Sequence, residues 1–156
     1  MLLAVDLGLR TGFALYGRDG RLVSYRSQNL GSKARLKRAA GSLLADHRDA
    51  ERVVLEGGGD IADLWLRAAE RAGRDAIRID AHVWRKKLLL PREQRHGTDA
   101  KAAADGLARA VIEWSAAPRP KGPLRHDAAE AIAIGFWGVL DAGWLEAIPD
   151  PIRLRR

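Results

Sequence analysis

Apolar and polar positions along the chain repeat with two different periods. Short apolar or alternating runs predict five strands, at residues 1–6, 12–17, 21–27, 52–56 and 76–80. The sequence GRDG between the second and third runs predicts a hairpin turn. The first strand and the fourth are almost wholly apolar until each ends on an acid, which is typical of strands in the middle of a sheet.

Helical periodicity predicts four helices, at residues 33–48, 60–73, 98–115 and 126–143. Ser32 and Asp60 are placed to cap the first two at their N-termini, and Gly73 is placed to end the second. The basic segment 81–97 shows no clear period and is predicted to be irregular. The helical residues predicted to face the core are Leu36, Ala40, Leu43, Leu44, His47, Ala100, Ala104, Leu107, Val111, Trp114, Ala128, Ile132, Phe136, Val139 and Leu140.

The resulting order, β-β-β-α-β-α-β-α-α, predicts an α/β fold with a mixed five-stranded sheet flanked by helices. No repeat or low-complexity tract divides the chain, so residues 1–156 are predicted to form one domain. No apolar run approaches the ~20 residues that span a bilayer, and no signal peptide is expected. The chain has no cysteine, which excludes disulfides and thiolate metal ligands and fits a cytoplasmic protein.

The formal net charge is +7 and the isoelectric point is near 10.4. Lys and Arg side chains that contact phosphates release condensed counterions, so a small basic protein is a candidate for binding nucleic acid. General solubility is the alternative explanation of this charge. Composition alone favours nucleic-acid binding over this alternative.

Four acids occupy comparable positions in the predicted elements. Asp6 ends the first strand, Glu56 ends the fourth, and Asp127 and Glu130 begin the last helix on one face. If the two strands are neighbours, the four carboxylates converge and need cations among them. Oxygen ligands favour Mg²⁺ or Mn²⁺, and two ions about 3.5–4 Å apart can activate a phosphodiester. Asp6 is the candidate to bridge them.

Each acid also has a purely structural interpretation. Asp127 and Glu130 favour the helix dipole whatever the function, and Glu56 before three glycines is equally a solvated strand end. Asp6 is the hardest to explain structurally, because a buried unpaired acid is costly. The turn after it contains Gly8 and, a little further on, Gly12, which are expected to let a phosphate approach the backbone.

Four segments of the chain resemble the RuvC family of Holliday junction resolvases in the RNase H-like superfamily. They occur in the family's order and approximate spacing, over nearly the whole chain. The sequence differs from the family's pattern at Leu7, where a proline is common, at Glu130, where Asp is common, and at Gly57–Gly59, where polar residues are usual. The segments are AVDLGLRTGFALYGRDGRLVSY, VVLEGGG, GTDAKAAADGLARAVI and HDAAEAIAIGFWG.

The resemblance implies an RNase H-like fold and a structure-selective endonuclease of DNA recombination and repair. Asp6, Glu56, Asp127 and Glu130 are then the metal-binding catalytic acids, with two Mg²⁺ per site and Mn²⁺ able to substitute. The protein is expected to cut four-way junctions symmetrically as a homodimer, since the junction is itself nearly two-fold symmetric. A junction-delivery or branch-migration protein is a further expected partner, and the protein is expected to associate with DNA inside the cell.

Cations between the fifth strand and the following helix are expected to contact the DNA backbone. By resemblance Lys101 lies near the active site and stabilises charge on the scissile phosphate, although it also fits a charge ladder with Asp105, four residues on. His126 is a candidate metal ligand or proton donor, or simply the residue that begins the last helix. The predicted DNA-binding residues are Arg85, Lys86, Lys87, Arg92, Arg95 and Lys101.

The tryptophans divide into two groups. Trp114 and Trp137 lie on helix faces predicted to be core, whereas Trp65 and Trp84 could stack on an unpaired base or pack between protomers. The predicted dimer face on the second helix comprises Ile61, Leu64, Trp65 and Ala68.

Three other functions remain open at this point. An RNase H-like nuclease acting on RNA or an RNA–DNA hybrid would use the same acids but would also contact 2′-hydroxyls. A sugar kinase or actin-like ATPase also places an acid and glycines after a strand, but needs two such domains. A junction-binding protein without catalysis would retain the basic surface and lack metal binding.

Overall fold

The computed structural model describes residues 1–154. The strands are β1 (Leu2–Asp6), β2 (Arg10–Tyr16), β3 (Leu22–Asn29), β4 (Arg52–Glu56) and β5 (Asp75–Ile79). The helices are α1 (Lys33–Asp46), α2 (Gly59–Arg71), α3 (Ala81–Leu88), α4 (Gly97–Trp114), α5 (His126–Asp141) and α6 (Asp150–Arg153). A 3₁₀ turn, Pro91–Gln94, lies between α3 and α4.

The five strands form one mixed sheet in the order β3-β2-β1-β4-β5, as the alternation of elements predicts. The β1–β2 and β2–β3 pairs are antiparallel, whereas β1–β4 and β4–β5 are parallel. The helices α1 and α2 make the crossovers that parallel neighbours require. β1 therefore lies at the centre of the sheet, and its C-terminal end adjoins that of β4.

Each face of the sheet is covered by its own helices because side chains alternate along the strands. Leu3 and Val5 of β1 pack on one side with α1 and α2. Leu2 and Ala4 pack on the other side with α3, α4 and α5. The buried helical positions agree closely with the predicted stripes, although His47, Trp114, Trp137 and Leu140 are only partly buried.

One buried polar contact on each face of the sheet adds to this apolar packing. The Tyr16 hydroxyl donates to the carbonyl of Ile132 in α5 at 2.6 Å. On the other face, Trp65 Nε1 donates to the carbonyl of Leu36 at 3.0 Å, and the Trp65 ring stacks on Phe13. Both side chains are completely buried, so each polar tip has the partner that burial demands.

Two of the predicted helix ends are confirmed, the start of α1 and the end of α2. Ser32 caps α1 by accepting from the Arg35 amide, and Gly73 follows α2 with φ of 72°. The predicted start of α2 at Asp60 is wrong, since Gly58 is the N-cap.

The prediction that segment 81–97 is irregular is also wrong, because it contains α3 and a 3₁₀ turn. The helix α3 is short, and it buries only Trp84 and Leu88, which are four residues apart. Two buried positions in eight residues are too few to reveal a period in the sequence. Trp65 and Trp84 have no exposed surface, so neither is available to stack on a base or to form a dimer face.

No helix in residues 1–154 is both long enough and apolar enough to cross a membrane.

Gly12 controls how closely α5 approaches the sheet. It pairs with Asp6 across β1 and β2, and a Cβ atom there would lie 1.9 Å from the carbonyl oxygen of Asp127. The space beside Gly12 is therefore filled by the first turn of α5. The expectation that Gly12 leaves room for a phosphate is wrong for this reason.

Gly12→Ala is predicted to lower the free energy of unfolding by about 3 kcal/mol, because the added methyl group collides with backbone that cannot rotate away. Gly41→Ala is the matched control, since its Cβ would meet nothing within 4 Å on exposed α1. It should raise the free energy of unfolding by about 0.5–1 kcal/mol through helix propensity. Urea denaturation of both variants measures the difference. Equal stabilities would contradict the close packing of α5 on β2.

Candidate active site

Two acids lie side by side at the edge of the sheet where β1 and β4 end. Asp6 is opposite Glu56 in the parallel pairing. Each lies two residues beyond a residue packed against α5, Ala4 in β1 and Val54 in β4, so both side chains face the α5 side of the sheet. Both strands are almost fully buried and each is paired with a strand on either side, which holds both carboxylates in place.

The first two turns of α5 bring two further acids to this edge. The backbone of Asp127 lies against Gly12, the cross-strand neighbour of Asp6. Glu130 follows three residues later on the same helix face. The four acids predicted from the sequence therefore come together from three elements.

The electrostatics of Asp6 reflect this crowding. Its pKa is raised to about 8, first by burial and then by the carboxylates of Glu130, Glu56 and Asp127. The Arg85 guanidinium opposes this rise only in part. Burial also raises the pKa of Glu56, against the lowering effect of its hydrogen bond from Trp84. The site therefore favours bound protons or other positive charge.

Two consecutive residues of α3 hold two of the acids. Trp84 Nε1 donates to Glu56 Oε2 at 2.5 Å, and Arg85 Nη2 donates to Glu130 Oε1 at 2.9 Å. His126, one turn earlier on α5, places Nε2 3.4 Å from Glu130 Oε2. The sequence does not predict the two contacts made by α3, because segment 81–97 is expected from its pattern to be irregular. The contacts form only because Trp84 and Arg85 lie on a helix beside the acids.

Asp127 contributes a buried acceptor with no partner. Only 7% of the residue is exposed, and its Oδ2 atom has no hydrogen bond among the described residues. An unpaired buried carboxylate oxygen is costly unless a proton or cation satisfies it.

These observations fit a hard divalent cation by donor chemistry. The set is entirely carboxylate, which suits Mg²⁺ or Mn²⁺, and it includes the unpartnered Asp127 oxygen. As the side chains lie, no three Asp, Glu or His residues within 1–154 form a ready-made metal centre. Glu56 and Glu130 are instead turned toward Trp84 and Arg85, so both would have to leave partners or share them to join such a centre.

The three glycines after Glu56 form a sharp turn behind the site. Gly57 and Gly59 have φ of 142° and 69°, which residues with a side chain rarely adopt. The Leu7 amide donates to the Glu56 carbonyl at 2.8 Å, and a Cβ at Gly57 would lie 2.8 Å from Leu7 Cβ. Backbone geometry therefore accounts for Gly57 and Gly59, and the turns after Asp6 and Glu56 pack together.

The predicted DNA-binding cations are placed in different environments. Arg85 lies against Glu130 rather than on an open surface. Lys87 lines a groove of about 510 Å³ with Asp141 and Arg153, near the far end of α5 from the acids. The exposed cations Lys86, Arg92, Arg95 and Lys101 have no ion pair within the described part of the chain. On α4, Asp105 pairs with Arg109 at 2.7 Å rather than with Lys101, the partner expected from the sequence.

Comparisons with known proteins relate the fold to three solved structures. T. thermophilus RuvC in complex with a Holliday junction substrate is 16% identical, with a TM-score of 0.59 over 91% of this chain and 94% of that one. A Fowlpox virus resolvase in complex with Holliday junction DNA is 12% identical, with a TM-score of 0.62 over 90% and 97%.

The third structure is the yeast mitochondrial Holliday junction resolvase Ydc2, which is 12% identical, with a TM-score of 0.57 over 92% of this chain and 81% of that one. No protein-family model matches the sequence, and no curated protein matches it significantly. The likeness to solved structures shows the fold, which is the RNase H-like fold of these resolvases.

Without divalent metal, the protein is predicted to lose stability as the pH rises from about 4 to about 8. The pKa of Asp6 is raised to about 8 in the folded state, from an ordinary value of 3.8. Folded protein therefore keeps a proton on Asp6 at pH values where the unfolded chain has lost it. The folded state therefore holds more protons than the unfolded state in this window, and the free energy of unfolding falls with pH by a few kcal/mol. Glu56 contributes in the same direction.

Asp6→Asn should flatten this dependence and raise the melting temperature at pH 8, because the amide stays neutral. Asp46→Asn, an exposed change at the end of α1, should keep the wild-type slope. Thermal melts in EDTA between pH 4 and 8 provide the measurement. A wild-type slope in Asp6→Asn would show that Asp6 is not buried among other carboxylates.

Proposed function

We propose that this protein is a metal-dependent endonuclease that resolves four-way DNA junctions. The observation that carries the proposal is the convergence of Asp6, Glu56, Asp127 and Glu130, from three elements, at one edge of the sheet. Folding gains nothing from bringing like charges together, so a function must account for it. The fold is shared with RuvC in complex with a Holliday junction, with a viral resolvase in complex with Holliday junction DNA, and with a mitochondrial Holliday junction resolvase.

In this proposal the four carboxylates hold two Mg²⁺ ions, or Mn²⁺ in their place. Metal held there would polarise an attacking water and offset charge on the attacked phosphate. Asp6 is central to the set, because each of the other three carboxylates raises its pKa. Arg85 and His126 keep Glu130 oriented, and Trp84 orients Glu56. Exposed Lys101 is the candidate to reach the scissile phosphate.

The proposed substrate has near two-fold symmetry and needs two cuts. A homodimer with one site on each protomer matches that symmetry, so we propose paired nicks by a C2 dimer acting as a crossover junction endodeoxyribonuclease. Trp65 does not form its interface, since Trp65 is buried against Phe13 and Leu36. A junction-delivery protein remains a proposed partner in recombination and repair.

Cleavage of a labelled mobile four-way junction tests the function directly. With Mg²⁺ or Mn²⁺, the wild type should introduce paired symmetric nicks into the junction, while linear duplex and RNA–DNA hybrid stay intact. Asp6→Asn should lower the cutting rate by at least about 1,000-fold, because the central carboxylate is lost, while junction binding is retained. Asp46→Asn is the control and should cut like the wild type.

The other outcomes point to different functions. Cutting of the hybrid but not the junction would make the protein an RNase H-like nuclease acting on RNA. Junction binding without cutting, in both the wild type and Asp6→Asn, would make it a non-catalytic junction-binding protein.

Trp84→Phe is predicted to lower the cutting rate and the affinity for Mn²⁺ by about 10–100-fold, as loss of a hydrogen bond to a metal ligand commonly does. Phenylalanine fills most of the buried volume but cannot donate to Glu56. Trp137→Phe, the same change on α5 beside the 510 Å³ groove, is the control. Titration of Mn²⁺ by calorimetry separates this effect from lost stability. Equal Mn²⁺ affinity in all three proteins would remove Trp84 from the site.

A further inference from the structure

The positive charge of the chain is concentrated in one segment that the predicted DNA-binding residues do not include. Residues 20–45 contain six of the 27 Lys and Arg residues and none of the 20 Asp and Glu residues. This segment alone therefore carries a formal charge of +6, against +7 for the whole chain. Four of its cations lie in the first two turns of α1 and are all exposed. This α1 basic surface comprises Lys33, Arg35, Lys37 and Arg38.

The α1 basic surface lies at the same edge of the sheet as the acids. The amides of Leu30 and Gly31, just before α1, donate to the Leu9 carbonyl at 2.8 and 3.4 Å. That carbonyl belongs to the turn that follows Asp6. Arg35 extends back over this connection, with Nη1 3.9 Å from the position of a Cβ at Gly31.

A second contact ties the surface to the turn after Glu56. Lys37 Nζ lies 2.8 Å from Asp60 Oδ2, in the first turn of α2. Lys37 and Lys33 lower the pKa of Asp60. The α1 basic surface is thus joined to both turns that follow the strand-end acids, on the opposite face of the sheet from α5.

Stability of α1 does not explain this arrangement. Cations are unfavourable at the N-terminus of a helix and acids at its C-terminus. The first turn of α1 contains no acid, and Asp46 is its last residue. Arg35 and Arg38 have no ion pair with any described residue, whereas Arg18, Arg52, Arg78 and Arg109 elsewhere are each paired.

We infer that the α1 basic surface binds the phosphate backbone of a duplex arm of the substrate, beside the strand that is cut. The other exposed residues in this part of α1 are small, namely Ala34, Gly41 and Ser42. The surface therefore offers no aromatic ring on which a base could stack. Contact is therefore with phosphates and independent of sequence. This inference rests on the proposed function. It adds a second phosphate-binding region, on the opposite face of the sheet from the α3–α4 cations, with the acids between the two.

The test compares two pairs of Arg→Gln changes that remove equal charge. Arg35→Gln with Arg38→Gln alters the surface. Arg48→Gln with Arg71→Gln alters exposed cations in the same helical layer, where α1 and α2 end at the opposite edge of the sheet. Glutamine is a good helix former, and thermal melts of both variants check that the fold is kept.

Binding to an immobile four-way junction is measured in EDTA by fluorescence anisotropy over a range of KCl concentrations. The slope of log affinity against log salt should become shallower by about 2 in the Arg35/Arg38 variant, since each lost phosphate contact contributes about 0.9. The control should keep the wild-type slope. The weakening should be the same for junctions of different arm sequence, because phosphate contacts carry no sequence information.

Equal slopes in the wild type and the Arg35/Arg38 variant would overturn the inference, as would equal losses in both variants. If the wild type binds and cuts junctions in that case, the proposed function stands and only the inference fails. If the wild type binds no junction at all, both fail.

Discussion

The close approach of α5 to β2 is the constraint on which the candidate site depends. Gly12 lets the backbone of Asp127 contact the strand directly, opposite Asp6. Any larger residue there would lift the first turn of α5 and move Asp127 and Glu130 away from the strand-end acids. The fold thus uses an absent side chain to bring backbone elements together, and the convergence of carboxylates follows from it.

That convergence is offset in part by hydrogen-bond donors on α3 and on α5 itself. Arg85 and His126 face Glu130, and the Trp84 indole donates to Glu56. None of these three neutralises Asp6, whose pKa stays raised to about 8. The protein therefore tolerates an electrostatic cost at its most central acid. Such a cost is typical of sites built to receive a charged ligand or to perform chemistry.

Charge on the scale of the whole molecule complements this local arrangement. The acid-bearing edge has exposed cations on both sides, the α1 basic surface on one face of the sheet and the α3–α4 segment on the other. A polyanion crossing this edge would meet positive charge before and after the carboxylates. Attraction along the flanks can hold DNA against a centre that repels it until cations are bound.

The sequence by itself determined the element order, the mixed sheet, the buried helix stripes and the four acids, because local periodicity and strand-end positions are properties of neighbouring residues. It did not reveal α3, whose two buried residues leave no readable period. It also could not distinguish a tryptophan in the core from one at a surface. Tertiary structure alone decided three features of the site. These are the burial of Trp84, its hydrogen bond to Glu56, and the packing of the Asp127 backbone against Gly12. Each depends on contacts between residues far apart in the chain, and those contacts exist only once the sheet and its helices have packed.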